Sequence, residues 1–130
     1  MVSLRILLVD DEPTLLALLM RQLERDGHSV VAALSAELAL LSLESTDWNP
    51  ELLIADQTLA GLSGSALAAA LLPRFPQLVC LLCSGYPLSI DVLPDAVRSR
   101  AAILQKPFMP PMLDRAIIDL LAANLRASVP

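Results

Sequence analysis

Five side chains spread over most of this 130-residue chain could do chemistry together: Asp10, Asp11, Asp56, Ser84 and Lys106. Asp10 and Asp11 open an acidic run, Asp10-Asp11-Glu12, that repels itself unless a cation sits in it. Three carboxylates within a few ångströms cannot all ionise comfortably without a counter-charge. A hard divalent cation with oxygen ligands answers that problem, and Mg²⁺ suits a site with few protein ligands plus water. A lysine and a hydroxyl beside such a cation would make a cradle for a tetrahedral oxyanion, meaning a phosphoryl group. Taken singly, each piece has an ordinary reading. An Asp-Asp pair commonly caps a helix, Ser-Gly is usually a turn, and Lys-Pro is no motif. The chemistry therefore depends on whether the fold brings the five together.

The elements between them suggest that it does. Short, nearly continuous apolar runs cover residues 4–9, 29–33, 52–55, 78–83 and 102–104, the pattern of strands buried on both faces. Longer stretches with helical spacing lie between. The first opens at Pro13, repeats Leu16, Leu19 and Leu23, and should stop near Asp26-Gly27. Others are expected over residues 36–44, over 65–72 ending at Pro73, somewhere in 89–100 around Pro94, and over 110–125. The last has Leu113, Ile117, Leu120 and Leu121 on one stripe. Five strands alternating with five helices imply an α/β fold, a parallel sheet with right-handed crossovers and helices on both faces. Ligands in open sheets of this kind bind beyond the C-terminal strand ends. Strand 1 runs into Asp10-Asp11, strand 3 into Asp56, strand 4 into Ser84 and strand 5 into Lys106-Pro107, all on that edge.

Composition narrows the classes. The chain is 55% hydrophobic and 18% charged, so it should form a packed core; no linker or repeat interrupts it, and a single domain over 1–130, with its core at about 4–125, is expected. No stretch of about 18–20 residues is free of both charge and proline, which excludes a membrane span, and Met1 to Leu4 make no secretory signal. A net charge of −5, with nine scattered basic residues of which Lys106 is the only lysine, argues against nucleic acid. Cys80 and Cys83 are spaced like a redox pair but lie three apart on a strand, so they face opposite sides and cannot bridge. Without a disulfide framework, the cytoplasm is the expected compartment. His28, at the start of strand 2, lies away from the acids, and Trp48 should cover a loop at the opposite end from Asp56. Met109, Pro110, Pro111 and Met112 are expected chiefly as core packing before the last helix, with a partner surface as the alternative.

At this point the chain resembles the receiver domain of two-component response regulators, from Leu4 to about Leu125. The resemblance rests on Ile6-Leu-Leu-Val-Asp-Asp-Glu12, Asp56-Gln-Thr-Leu-Ala-Gly-Leu-Ser-Gly64, Ser84-Gly85 and Lys106-Pro-Phe108, in that order. It implies a five-stranded sheet in the order 2-1-3-4-5, the flavodoxin-like (βα)5 fold. It also implies roles. Asp56 would accept a phosphoryl group from a histidine kinase or phosphotransfer protein. Asp11 would bind Mg²⁺ directly, with Asp10 assisting, Asp56 taking part and the backbone carbonyl of Thr58 as a third protein contribution. Ser84 would bond the phosphoryl oxygen and Lys106 would pair with it. Gly64 fits a tight start to the third helix, and Lys106-Pro107 is a place for a cis peptide. Such a domain is a signalling switch rather than an enzyme, catalysing only its own phosphorylation and slow dephosphorylation. The fourth helix, strand 5 and fifth helix would form its output face, a candidate surface for a partner, an attached domain or a homodimer. Since no effector follows residue 126, a stand-alone receiver or one excised from a longer regulator or hybrid kinase is expected.

Two departures from the family pattern stand out. Leu59-Ala60 replaces the usual Met-Pro after the acceptor, and Ile103 takes the position where many relatives carry a switching aromatic. The alternatives are a degenerate receiver acting as an interaction module and an aspartyl-phosphate hydrolase. A hydrolase usually has an acid two residues after the nucleophile, where this chain has Thr58. A flavin module is disfavoured by the lack of a glycine- and hydroxyl-rich loop after strand 1.

Overall fold

Strands β1 (Arg5–Val9), β3 (Leu52–Asp56) and β4 (Val79–Ser84) form the centre of a five-stranded parallel sheet, with β2 (Ser29–Ala33) and β5 (Ala101–Gln105) at its edges. The spatial order is β2-β1-β3-β4-β5, as the resemblance implies. The structure is a computed structural model that describes residues 2–44 and 46–127. Helices α1 (Pro13–Arg25), α2 (Ala36–Glu44), α3 (Gly64–Leu71) and α4 (Pro110–Ala127) connect or follow the strands.

Alternation along each strand divides the apolar residues between two layers. Leu7, Val9, Leu53, Ala55, Cys80 and Leu82 pack against α2 and α3. Ile6, Leu8, Leu52, Ile54, Leu81 and Cys83 pack on the opposite face against α1 and α4. The two cysteines thus lie in different layers, free and buried. Burial pushes both thiols up, that of Cys83 to about 12, so neither is a nucleophile near neutral pH. In α1 the expected repeat is the buried one, Leu16, Leu19 and Leu23, and Gly27 takes a φ of 94° just past the helix end. His28 is structural: its Nδ1 accepts the Leu4 N–H at 3.0 Å, tying the starts of β1 and β2. Trp48 packs, partly buried, on the edge of the α2–α3 layer.

Two sequence expectations fail. No fourth α-helix lies in 89–100; two short 3-10 turns, Ile90–Val92 and Asp95–Arg100, stand there instead. Pro94 explains the break. It lacks an N–H to continue a helix, and it drives Leu93 before it into extended backbone, at φ −99° and ψ 149°. Arg98 then holds the pieces together, donating from Nε to the Leu93 carbonyl at 2.8 Å and pairing with Asp91 and Asp95. The last helix is therefore the fourth. Second, Met109, Pro110, Pro111 and Met112 are exposed rather than core, with Met109 67% accessible. The stripe that α4 buries begins only at Leu113 and continues through Ile117 and Leu120.

One glycine is fixed by packing alone. A Cβ on Gly64, the first residue of α3, would collide with the backbone carbonyl of Asp56. Backbone cannot swing aside as a flexible side chain would, so Gly64→Ala should cost about 1–3 kcal/mol through forced overpacking. Urea unfolding checks this; a stability equal to the parent's would show that α3 is free to slide along β3.

Candidate functional site

The C-terminal ends of β1, β3, β4 and β5 lie side by side, and their in-register pairing sets the height of each side chain. Asp56 is level with Cys83 on β4, and Ser84 is level with Gln105, one residue before Lys106. The Lys106 Nζ reaches across the edge to Asp10 Oδ2 at 3.1 Å and Asp56 Oδ2 at 3.0 Å. Asp10 is almost wholly buried, and its Oδ1 also accepts the Glu12 N–H at 2.9 Å as the chain turns into α1. Asp11 is exposed beside it. Carboxylate oxygens of Asp10, Asp11 and Asp56 all lie within 4.8 Å of one another. The sequence-predicted acids and lysine are thus brought together.

Charge decides what this group can hold. One ammonium against three carboxylates leaves two negative charges uncompensated, the charge of one divalent cation. The donors are all oxygen, the set a hard cation such as Mg²⁺ takes. The residues present therefore fit the metal the resemblance implies. Thr58 sits exposed two residues beyond Asp56, and its carbonyl accepts no hydrogen bond from the described residues. Lys106-Pro107 is cis. Burial pulls the Lys106 pKa down, but its hydrogen bonds to Asp56 and Asp10 and their negative charge outweigh that, and the net shift is upward from 10.5.

Ser84 is fully buried at the same edge but makes no hydrogen bond to Asp56. Its Oγ donates to the Tyr86 carbonyl at 2.7 Å and accepts the Tyr86 N–H at 3.2 Å. Its one hydroxyl proton is thereby committed to the turn. Ile103 is partly buried on β5, opposite Leu82 and in the α2–α3 layer. Alternation from Cys80 and Leu82 places Ser84 on that same face of the sheet.

Two positioning groups escaped the sequence reading. The Gln57 amide accepts the Ser65 N–H at Oε1, 2.7 Å, and donates from Nε2 to Ser65 Oγ at 2.9 Å, fastening the residue after Asp56 to the start of α3. Tyr86 offers only its backbone. The Ser-Gly-Tyr turn carried a signal for that contact, because serine hydroxyls commonly bond backbone two residues on. A glutamine eight residues from its partner carries none.

The family model described as the response regulator receiver domain matches residues 6–118. The chain is 35% identical over 127 residues to the response regulator protein FleR of Pseudomonas aeruginosa, across 97% of this chain and 25% of that one. It therefore spans about a quarter of that relative's length. Among solved structures, the receiver domain of the hybrid histidine kinase CckA is 26% identical, with a TM-score of 0.74 over 90% of this chain and 98% of that one. The response regulator TrrA of Thermotoga maritima, solved in complex with Mg²⁺-BeF, is 27% identical, with a TM-score of 0.71 over 89% and 97% of the two chains.

Two outcomes are expected of the acid cluster. Mg²⁺ at tenfold over its dissociation constant should stabilise the protein by about 1.4 kcal/mol, a rise of a few degrees in melting temperature. Asp11→Ala should abolish that rise while melting no lower in EDTA, since a like charge is gone; a parent indifferent to Mg²⁺ would mean no site forms. For Lys106, a pKa raised on folding means that its stabilisation is complete below the unfolded value near 10.5 and fades as pH climbs through the folded value. The stabilisation is therefore fully present near neutrality, where stability should not vary with pH on account of this group. Lys106→Met should flatten the loss of stability above that pH, as followed by alkaline unfolding.

Proposed function

The chain belongs to the response regulator receiver domain family, and from that premise we propose that it is a phosphoryl-acceptor switch in which Asp56 takes a phosphoryl group from a histidine kinase or phosphotransfer protein. The carrying observation is the Lys106 ammonium poised between Asp10 and Asp56, with a third carboxylate within reach. The complex of TrrA with Mg²⁺-BeF supports the same chemistry here.

Each residue has a task. An Asp56 carboxylate oxygen attacks phosphorus in line as the bond to the donor nitrogen breaks, and the donor histidine leaves with that electron pair. Asp11 and Asp56, with Asp10 assisting and the Thr58 carbonyl completing the protein set, would hold Mg²⁺, which would supply charge neutralisation on the phosphoryl oxygens. Lys106 exchanges part of its pairing with Asp56 for a phosphoryl oxygen. Ser84 gives up the Tyr86 carbonyl and donates its proton to another. That exchange shifts the turn after β4, and Ile103, on the same face of the sheet, follows only partly because a β-branched chain has few χ1 choices. The output then passes through backbone movement of the 3-10 segment and β5 to the exposed surface around Met109 and Met112. A partner, an attached domain or a second copy would read the change there.

Hydrolysis of a metabolite fits less well. Two residues beyond Asp56 the chain carries Thr58, which cannot act as a general acid or base. Incubation with Mg²⁺ and acetyl phosphate, followed by intact mass, should show one added phosphoryl group in the parent and none in Asp56→Asn. A shift that persists in that variant would move the acceptor elsewhere, and no shift in the folded parent would leave a degenerate receiver.

A further inference from the structure

The loop from Thr58 to Leu62 joins the acceptor strand to α3, and on the proposed function it must present a backbone carbonyl to the cation. Two features loosen it. Ala60 leaves φ unrestricted where a proline would fix it, and Gly61 sits at a φ of 81°, open to many other conformations. Gln57 and Gly64 fasten the loop only at its ends, the Gly64 N–H donating to the Gln57 carbonyl at 3.1 Å. Inside it, Leu59 is buried in the core, and the backbone has a single tie. Among the described residues, the one hydrogen bond from Thr58–Leu62 to another element is Leu62 N–H to Glu37 Oε2, 3.1 Å, from the first turn of α2.

Gly61 and Glu37 fit each other closely. A Cβ on Gly61 would lie 2.5 Å from Glu37 Oε2 and 3.2 Å from Oε1, so the missing side chain leaves the place where the carboxylate rests. Glu37 is itself well anchored. Ser35 Oγ caps its helix by accepting the Leu38 N–H at 3.0 Å, and Ala36 and Ala39 on either side are fully buried. The strand that leads into α2 also accepts at the Ala33 carbonyl the N–H of Asp10, at 3.2 Å. Glu37 therefore stands on the frame that carries the Asp10 side of the site and grips the loop on the Asp56 side. Lys106 links the two halves across the front; Glu37 links them from the flank.

We propose that Glu37 is a positioning residue for the cation site, holding the loop after Asp56 in the shape that lets its backbone contribute to metal binding. This rests on the receiver reading, through the cation that reading requires. The test is Mg²⁺ titration followed by amide chemical shifts, together with amide exchange at Leu62 in EDTA. Glu37→Ala should weaken Mg²⁺ binding by about threefold to tenfold, the worth of one net hydrogen bond, and speed exchange at Leu62. Glu37→Gln keeps an oxygen acceptor in place and should stay within about twofold of the parent. A parent that binds no Mg²⁺ would overturn the receiver reading itself. A parent that binds it, with Glu37→Ala binding equally well, would overturn only the role of Glu37, as would equal losses in both variants, which would point to charge rather than the hydrogen bond.

Discussion

The ammonium of Lys106 between the carboxylates of Asp10 and Asp56 is the contact around which the acidic edge is arranged. Acids packed this closely destabilise a fold unless something cationic is held among them, and a single lysine just past the end of the edge strand β5 does that here. Its reach depends on the height of four strand ends, and that height follows from register. Parallel pairing of Asp56 with Cys83 and of Ser84 with Gln105 leaves no slack for the side chains to make up. Register in turn is set by the apolar residues on both faces of the central strands, because a slip of one residue would exchange the two layers. The chemistry at the edge is therefore a consequence of the core beneath it.

The loops use a different means of control. At the acceptor, backbone freedom is removed by individual contacts: the Gln57 amide on Ser65, the close seat of Gly64 under the Asp56 carbonyl, and the Glu37 carboxylate where a Gly61 side chain would be. After β4, the Ser84 hydroxyl closes a short ring with both backbone groups of Tyr86. Each hydrogen bond among these contacts has a net worth of about 0.5–1.5 kcal/mol. A loop held in this way keeps its shape at rest and can still exchange one partner for another.

How much was legible in the sequence follows the range of the physics involved. Strands buried on both faces appear as continuous apolar runs, and four of five helices were placed within a residue or two because Leu16, Leu19 and Leu23, or Leu113, Ile117 and Leu120, mark their inner stripes. The acids, Ser84 and Lys106 could be placed at strand ends for the same reason. The helix expected somewhere in 89–100 around Pro94 does not form, because that proline acts on Leu93 locally and decisively. Met109 and Met112, expected chiefly as core with a partner surface as the alternative, are exposed because the packing of α4 begins only at Leu113. Glu37 was out of reach altogether. Its partner lies 25 residues away, across a contact that exists only once α2 and the loop are placed by the sheet.

The missing helix bears on how this chain differs from a receiver with an aromatic switch. No α-helix follows β4, and on the edge strand β5 Ala101 to Leu104 all stay partly accessible. The cover that exists is a pair of 3-10 turns pinned through Arg98 to the Leu93 carbonyl and to Asp91 and Asp95. Ion pairs at this exposure contribute little, so the segment's shape rests mainly on the buried Leu93 and Val97 and on arginine contacts to backbone carbonyls, Arg98 to Leu93 and Asp91 and Arg100 to Phe75 and Leu78. Side-chain contacts of this kind, unlike the backbone ladder of an α-helix, can be exchanged for others one at a time. A short aliphatic residue such as Ile103 could bias the segment where a rigid helix would need a larger lever. The cover of short turns and the aliphatic Ile103 beneath it are thus physically consistent with each other: the turns are joined by contacts that can be exchanged, and a β-branched side chain has few rotamers with which to push them.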